Sequence, residues 1–125
     1  MNKKKINLLI PDAIDALEKL REEDGSINKV YQGYLASFGP TVISSGMVKT
    51  VTIYIDESPS NKKRKKLTNI MFSLIGEDPK EFIKEKDSSV KYVLKNKILE
   101  ANIACKLAIR TFVLKEVNND NNSSE

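Results

Sequence analysis

The residues best suited to chemistry in this sequence are cations, and their excess charge is clustered. Residues 62–66 read Lys-Lys-Arg-Lys-Lys and carry +5, and residues 1–5 carry +3. Residues 12–24 contain six acids and two bases, and the remaining residues sum to zero, which leaves a net charge of +4. Clustered Lys and Arg bind phosphates, so the pattern indicates a polyanionic partner. The charge alone does not distinguish RNA, DNA and an anionic membrane, and a solvated basic loop has the same composition.

A second set of cations lies on the predicted C-terminal helix. At about 100° per residue, four cations and Asn102 fall within an arc of about 100°, and the apolar side chains centre about 90° away. A polar stripe of this kind can follow a nucleic-acid backbone, although scattered lysines on a solvated helix give the same pattern. We call residues 62–66 the basic run. The candidate RNA-binding residues are the cations of the basic run and of this stripe: Lys62, Lys63, Arg64, Lys65, Lys66, Lys91, Lys95, Lys106 and Arg110.

Residues for catalysis are scarce. The sequence contains no His and one Cys, which excludes the His-dependent nucleophile systems and a tetrahedral zinc site. Cys105 lies in an apolar segment, so we predict a buried side chain in a protein of a reducing compartment. Asp56, Glu57, Glu77 and Asp78 could bind Mg²⁺ in a hydrolase, but acids beside turns are more often solvated. We therefore predict a protein that is not an enzyme and has no cofactor or metal.

The sequence gives no indication of a membrane partner. No apolar run approaches the roughly 20 residues that span a bilayer. A basic start precedes the apolar residues Ile6–Ile10, but Pro11-Asp12 ends this stretch too early for a signal peptide. We therefore expect a cytoplasmic protein.

Helices are the elements predicted to position the cations. Pro11 suits the first position of a helix that ends at Asp24-Gly25. Ser26 fits an N-cap, and apolar residues then follow at helical spacing until Gly39-Pro40 interrupts them. A short helix is predicted to end at Gly46, which fits a left-handed C-cap.

The second half of the chain is also predicted to be helical. Residues 47–56 alternate as in a strand but also share one helical face, and we predict a helix because no second strand is predicted to pair with them. The basic run begins the next helix, and Asp78-Pro79 begins a short one. Ser88 or Ser89 is predicted to cap the last helix, over residues 90–117.

These elements predict an all-α fold, a compact bundle of about six to seven helices with a long C-terminal helix. The length of 125 residues and the hydrophobic content of 40% suit one domain. We predict a single helical domain over residues 1–117. Residues 118–125 contain no core residue and are predicted to be a disordered polar tail.

Two segments carry a resemblance to a known family. The first combines a Tyr-containing helix, a Gly-Pro break, an Ile, and a Gly followed by apolar residues: Tyr31, Tyr34, Gly39-Pro40, Ile43, Gly46, Met47-Val48 and Val51–Ile55. The second matches at Tyr92, Leu99, Lys106 and Leu107. Together they resemble the small subunit of type III-B (Cmr-type) CRISPR effector complexes, which target RNA. The resemblance spans residues 8–115, and the absence of Trp departs from it.

The resemblance implies a non-catalytic helical subunit in antiviral defence. Such subunits stack along a filament and help to hold the duplex of guide RNA and target RNA, which other subunits cut. The implied partners are guide RNA, target RNA, other subunits and further copies of the chain. The acidic residues 12–24 are a candidate for docking on a basic surface of the next copy. The RNA role of residues 62–66 rests on charge alone, and a stand-alone helical nucleic-acid-binding protein is the alternative.

Overall fold

Six α-helices and two short strands make up residues 2–116, the part of the chain that the computed structural model describes. The helices are α1 Lys3–Leu17, α2 Val30–Ser45, α3 Met47–Tyr54, α4 Lys62–Ser73, α5 Pro79–Lys84 and α6 Ser88–Ile109. The strands are β1 Ile27–Asn28 and β2 Leu114–Lys115, and single 3₁₀ turns lie at Glu18–Leu20 and Pro59–Asn61. The prediction of an all-α fold with a long C-terminal helix is confirmed.

The long helix α6 lies against most of the other helices. It packs most extensively against α1 and also contacts α2 and α4. Its buried side carries the small residues Ala101, Ala104 and Ala108, which allow neighbouring helices to approach closely. Leu35 and Phe38 from α2 and Met71 and Phe72 from α4 complete the same hydrophobic core. No helix within residues 2–116 is long and apolar enough to cross a membrane.

The two prolines predicted to begin or interrupt helices lie inside them. α1 begins at Lys3, where the Asn2 side chain accepts the backbone N–H groups of Lys4 and Lys5, and it continues through Pro11. α2 likewise continues through Pro40. Both prolines are exposed, so water can bond the carbonyl groups that each ring leaves without an N–H partner. The predicted helix boundaries at Pro11 and Gly39-Pro40 are therefore wrong.

The predicted end of the last helix is also wrong, because α6 stops at Ile109. The chain then turns back, and β2 pairs in parallel with β1. The N–H groups of Ile27 and Lys29 donate to the carbonyls of Val113 and Lys115, each at 2.9 Å. The predicted tail, residues 118–125, lies outside the described residues.

The predicted caps are corrected at two helices. Asp87 caps α6, because its side chain accepts the N–H groups of Ser89 and Val90. The predicted caps, Ser88 or Ser89, follow it inside the helix. The N-cap of α2 is Lys29 rather than Ser26, and the Asn28 side chain accepts the N–H of Val30 at 3.0 Å.

Gly46 has the positive φ that the sequence predicts, at 87°. Its ψ of 159° is extended, in a region that only glycine adopts without strain. The left-handed helical cap is therefore replaced by a sharp corner, and α3 begins at the next residue.

Candidate nucleic-acid interface

The basic run forms the first five residues of α4, as predicted. Lys62, Lys63 and Lys66 are exposed, and none of the ion pairs within residues 2–116 involves them. Their charges are therefore free to meet an external anion. Lys65 is half-buried and donates to the Glu57 carboxylate at 2.6 Å, a contact that lowers the pKa of Glu57.

Arg64 differs from its neighbours, because its guanidinium lies against two aromatic rings. The Cζ atom lies 4.8 Å from the ring centre of Tyr34 and 5.2 Å from that of Tyr54. One terminal nitrogen donates to the Asn61 side chain at 3.1 Å. The buried Nε has no hydrogen-bond partner within the described residues. These contacts hold the start of α4 against α2 and α3, so Arg64 is placed to anchor the run.

Asn61 links Arg64 to the end of α3. Its amide nitrogen lies within hydrogen-bond distance of the carbonyls of Ile53, Tyr54 and Asp56, at 3.0–3.2 Å. Its oxygen accepts a hydrogen bond from Arg64, so both ends of the Asn61 side-chain amide are bonded. The position of the run is therefore fixed by a polar network that begins at the end of α3, the preceding helix.

Lys106 and Arg110 lie in a groove between α2 and α6, which we call the α2–α6 groove. It encloses about 580 Å³, and Lys29 at the start of α2 lies in its opposite wall. Lys29 and Arg110 are exposed and Lys106 is half-buried. Glu116, which follows β2, also lines this groove and is its one acid among the described residues. Three cations therefore face one acid.

Lys62 and Lys63 line a second groove, the α2–α4 groove, together with Tyr34. Asn28 and Val30 line both grooves, so the two meet at the start of α2. The fold thus places the exposed side of the basic run and the C-terminal half of the predicted stripe on either side of one helix terminus.

The start of α2 adds partial positive charge to this junction. The helix dipole favours anions at this end. The chain is held there by the bond from Lys29 N–H to the Lys115 carbonyl and by the bond from Val30 N–H to the Asn28 side chain. Gly33, one turn along, has no side chain to cover the backbone that lines the groove. A phosphate in this position would meet lysine side chains at the positive end of the helix dipole.

Sequence reasoning missed Lys29. It is an isolated lysine next to a predicted helix start, and nothing in its spacing marks it. It reaches the groove only because β1 pairs with β2, which lies 87 residues further along the chain. No local pattern carries that information.

The N-terminal half of the predicted stripe does not reach the grooves. Lys95 lies about 16 Å along α6 from Lys106, and Lys91 lies one turn further away. Asn102, predicted to belong to the polar stripe, is buried, and its amide nitrogen donates to the Leu35 carbonyl at 3.1 Å. The stripe is therefore two separate pairs of cations with a structural amide between them.

Three of the four acids considered for metal binding are engaged in local contacts. Asp56 accepts the N–H of Ser58, Glu57 pairs with Lys65 and Lys80, and Asp78 caps α5. Within residues 2–116, no three His, Cys, Asp or Glu side chains form a group that could hold a metal ion. Cys105 is buried, as predicted, and this burial raises the pKa of its thiol to about 12.

Comparison with known proteins does not add a function. The chain matches no protein-family model, no curated protein and no solved structure. The resemblance carried by residues 31–55 and 92–112 therefore remains an interpretation of the sequence.

Proposed function

We propose that the chain is a non-catalytic RNA-binding subunit of a type III-B CRISPR ribonucleoprotein effector complex. One observation supports the RNA part: five cations line two grooves that meet at the start of α2. They are Lys29, Lys62, Lys63, Lys106 and Arg110. Membership of the effector complex is supported by the resemblance of residues 31–55 and 92–112 to its small subunit.

The grooves suit the backbone of an RNA better than its bases. Lysine contacts phosphate as a point charge and carries no sequence information. Proteins recognise double-stranded RNA mainly through its shape, its phosphates and its sugar hydroxyls. A pair of basic grooves is sufficient for such contacts. The chain would therefore hold a guide–target duplex without reading its sequence.

This role places catalysis in other subunits. The chain would act in antiviral defence in the cytoplasm, with guide RNA, target RNA, other subunits and further copies of itself as partners. A single copy offers few phosphate contacts, and many copies along a filament would add them into tight binding. Weak binding alone and strong binding in the assembly are the expected signature.

The proposal is tested by purifying the tagged full-length chain from its source cells and identifying the RNA and proteins that accompany it. A groove variant carries Lys62→Gln, Lys63→Gln, Lys106→Gln and Arg110→Gln. Its matched control neutralises four exposed lysines outside both grooves: Lys19, Lys49, Lys84 and Lys86.

We expect the unmodified chain and the control to retain guide RNA from a repeat array together with other effector subunits. The groove variant should retain the subunits but lose bound target RNA. Recovery of diverse RNA without protein partners would favour a stand-alone nucleic-acid-binding protein. Recovery of no RNA would contradict the proposal.

A further inference from the structure

Tyr92 is the most exposed aromatic residue within residues 2–116. Its side chain is 66% exposed, whereas every other Tyr and Phe of this part is buried or half-buried. Val93, next to it, is 52% exposed. Both face solvent near the start of α6. A large ring left in water is a candidate contact for a partner.

The surroundings of Tyr92 are strongly basic. A groove between α1 and α6 is lined by Tyr92, Asn96, Lys97 and Lys5, and Lys95 lies one turn from Tyr92 on its other side. The acid in this groove, Glu100, is only 7% exposed and accepts the Asn2 N–H at 3.1 Å. Lys3 and Lys4 are exposed in the first turn of α1, which packs against α6.

This combination favours RNA over a protein partner. Protein interfaces are enriched in tyrosine but depleted in lysine. Proteins that bind single-stranded nucleic acid combine both, because bases stack on an aromatic ring while cations meet the phosphates. The half-buried Asn96 amide, one turn from the ring, can in addition bond to the edge of a stacked base.

We infer that Tyr92 stacks on one unpaired nucleobase, and that Lys5, Lys95 and Lys97 hold the phosphates on either side of it. The contact rests on the proposed function, since its ligand is RNA, but it uses a surface separate from the two grooves. Tyr92 lies about 21 Å along α6 from Lys106. The grooves would hold the backbone of a duplex, and Tyr92 a nucleotide outside that duplex.

The absence of tryptophan allows a direct test. Tyr92→Trp provides a single fluorescent ring, to be titrated with an oligouridylate of about 12 nucleotides. An oligomer of the same length with abasic sites has the same phosphates and serves as the comparison ligand. We expect the oligouridylate to quench the Trp emission and the abasic oligomer to leave it nearly unchanged.

Two further variants separate stacking from charge. Tyr92→Leu should weaken oligouridylate binding about 5- to 150-fold while the slope of log K against log salt stays constant. The same substitution should leave binding of the abasic oligomer unchanged. Lys97→Gln should instead lower the salt slope by about 0.7 for both ligands. Equal thermal unfolding of each variant and the unmodified chain serves as the folding control.

The outcomes distinguish the stacking contact from the groove proposal. Unchanged Trp emission with oligouridylate bound would overturn the stacking contact and leave the groove proposal standing. Equal weakening of oligouridylate binding and abasic-oligomer binding by Tyr92→Leu would also overturn the stacking contact alone. Failure of the unmodified chain to bind any RNA would overturn both proposals. Loss of binding to another subunit by Tyr92→Leu, with RNA binding intact, would assign this surface to a protein.

Discussion

The two ends of α6 carry cations in different settings. At the C-terminal end, Lys106 and Arg110 face Lys29 across a groove whose walls are α2 and the segment around β2. At the N-terminal end, Tyr92 and Lys97 line the groove between α1 and α6, and Lys95 is exposed beside the Tyr92 ring. The same helical spacing places both sets, so the neighbouring elements make the difference.

This difference separates two ways of holding a polynucleotide. A groove with fixed walls restricts where a phosphate can lie, which suits a backbone of regular shape. An exposed ring flanked by lysines can hold a strand whose bases are free. One helix would thus present a contact for duplex at one end and a contact for an unpaired nucleotide at the other.

The largest expected effect follows from neutralising the groove end. Lys29→Gln, Lys106→Gln and Arg110→Gln together should weaken binding of duplex RNA at least about tenfold at low salt, because three charge-assisted contacts are lost. Lys91→Gln with Lys95→Gln should weaken it only about two- to fivefold. Fluorescence anisotropy with a labelled duplex measures both, and equal losses would remove the distinction between the two ends.

The second prediction concerns stability at Arg64. Arg64→Ala should lower the free energy of unfolding by about 1–3 kcal/mol, because it removes contacts with two rings and leaves Asn61 without a donor. Tyr92→Leu should change it by less than about 0.5 kcal/mol, since that ring is exposed. Urea unfolding measures both values.

Arg64→Lys serves as the control for charge at this position. It keeps the cation but loses the planar stacking and the bond geometry, so we expect most of the destabilisation to remain. An Arg64→Ala variant with unchanged stability and weakened RNA binding would instead identify Arg64 as a phosphate contact, as its position in the basic run first suggested.

A smaller effect is expected at Glu116, the acid of the α2–α6 groove. Glu116→Gln should strengthen RNA binding about two- to threefold at low salt, because a like charge is removed from the path of the phosphates. Added salt should erase the gain. Glu81→Gln on α5 removes the same charge outside both grooves, and an equal gain from it would show that only net charge matters.

The smallest effect concerns the ion pair that joins β2 to the loop before β1. Lys115 donates to the Asp24 carboxylate at 2.8 Å, and Ser26 donates to the same carboxyl group. These contacts hold the pKa of Asp24 well below its usual value of 3.8. A lowered pKa means that the ionised carboxylate stabilises the fold above pH 3.8 and loses this effect as the pH falls toward the lowered pKa.

Asp24→Asn tests this prediction through thermal unfolding at several pH values. The variant should melt slightly below the unmodified chain at pH 7, and the gap should be constant down to about pH 5 and narrow below pH 3.8. A gap that stays the same at pH 3 would contradict the assignment. Since β2 precedes Glu116, the same variant should also loosen that wall of the α2–α6 groove.

Much of the fold was predictable from apolar spacing and helix-start residues, even at residues 47–56, where the spacing also fitted a strand. The helix of the basic run, the short helix after Asp78 and the helix of residues 47–54 are all present. Pro11 and Pro40 misled the prediction, because each is exposed on its helix, where water can bond the carbonyl that the ring leaves without a partner. The pairing of β1 with β2 had no local signal, since two-residue strands carry no periodicity.

The candidate site was only partly predictable. Lys62, Lys63, Lys106 and Arg110 could be named from charge and helical spacing, and the fold places them around one junction. Lys29 could not, because its position depends on contacts between distant segments. The rings that contact Arg64 come from two other helices, so these contacts could not be predicted from the sequence either.

The most direct test of the phosphate-binding grooves is an NMR titration of the 14.1 kDa chain with duplex RNA. The account predicts that the largest shifts of backbone amide signals occur over residues 28–33 and 62–64, where the two grooves meet, and that they disappear in the variant with Gln at 62, 63, 106 and 110. Shifts confined to other surfaces, or unchanged in that variant, would contradict it.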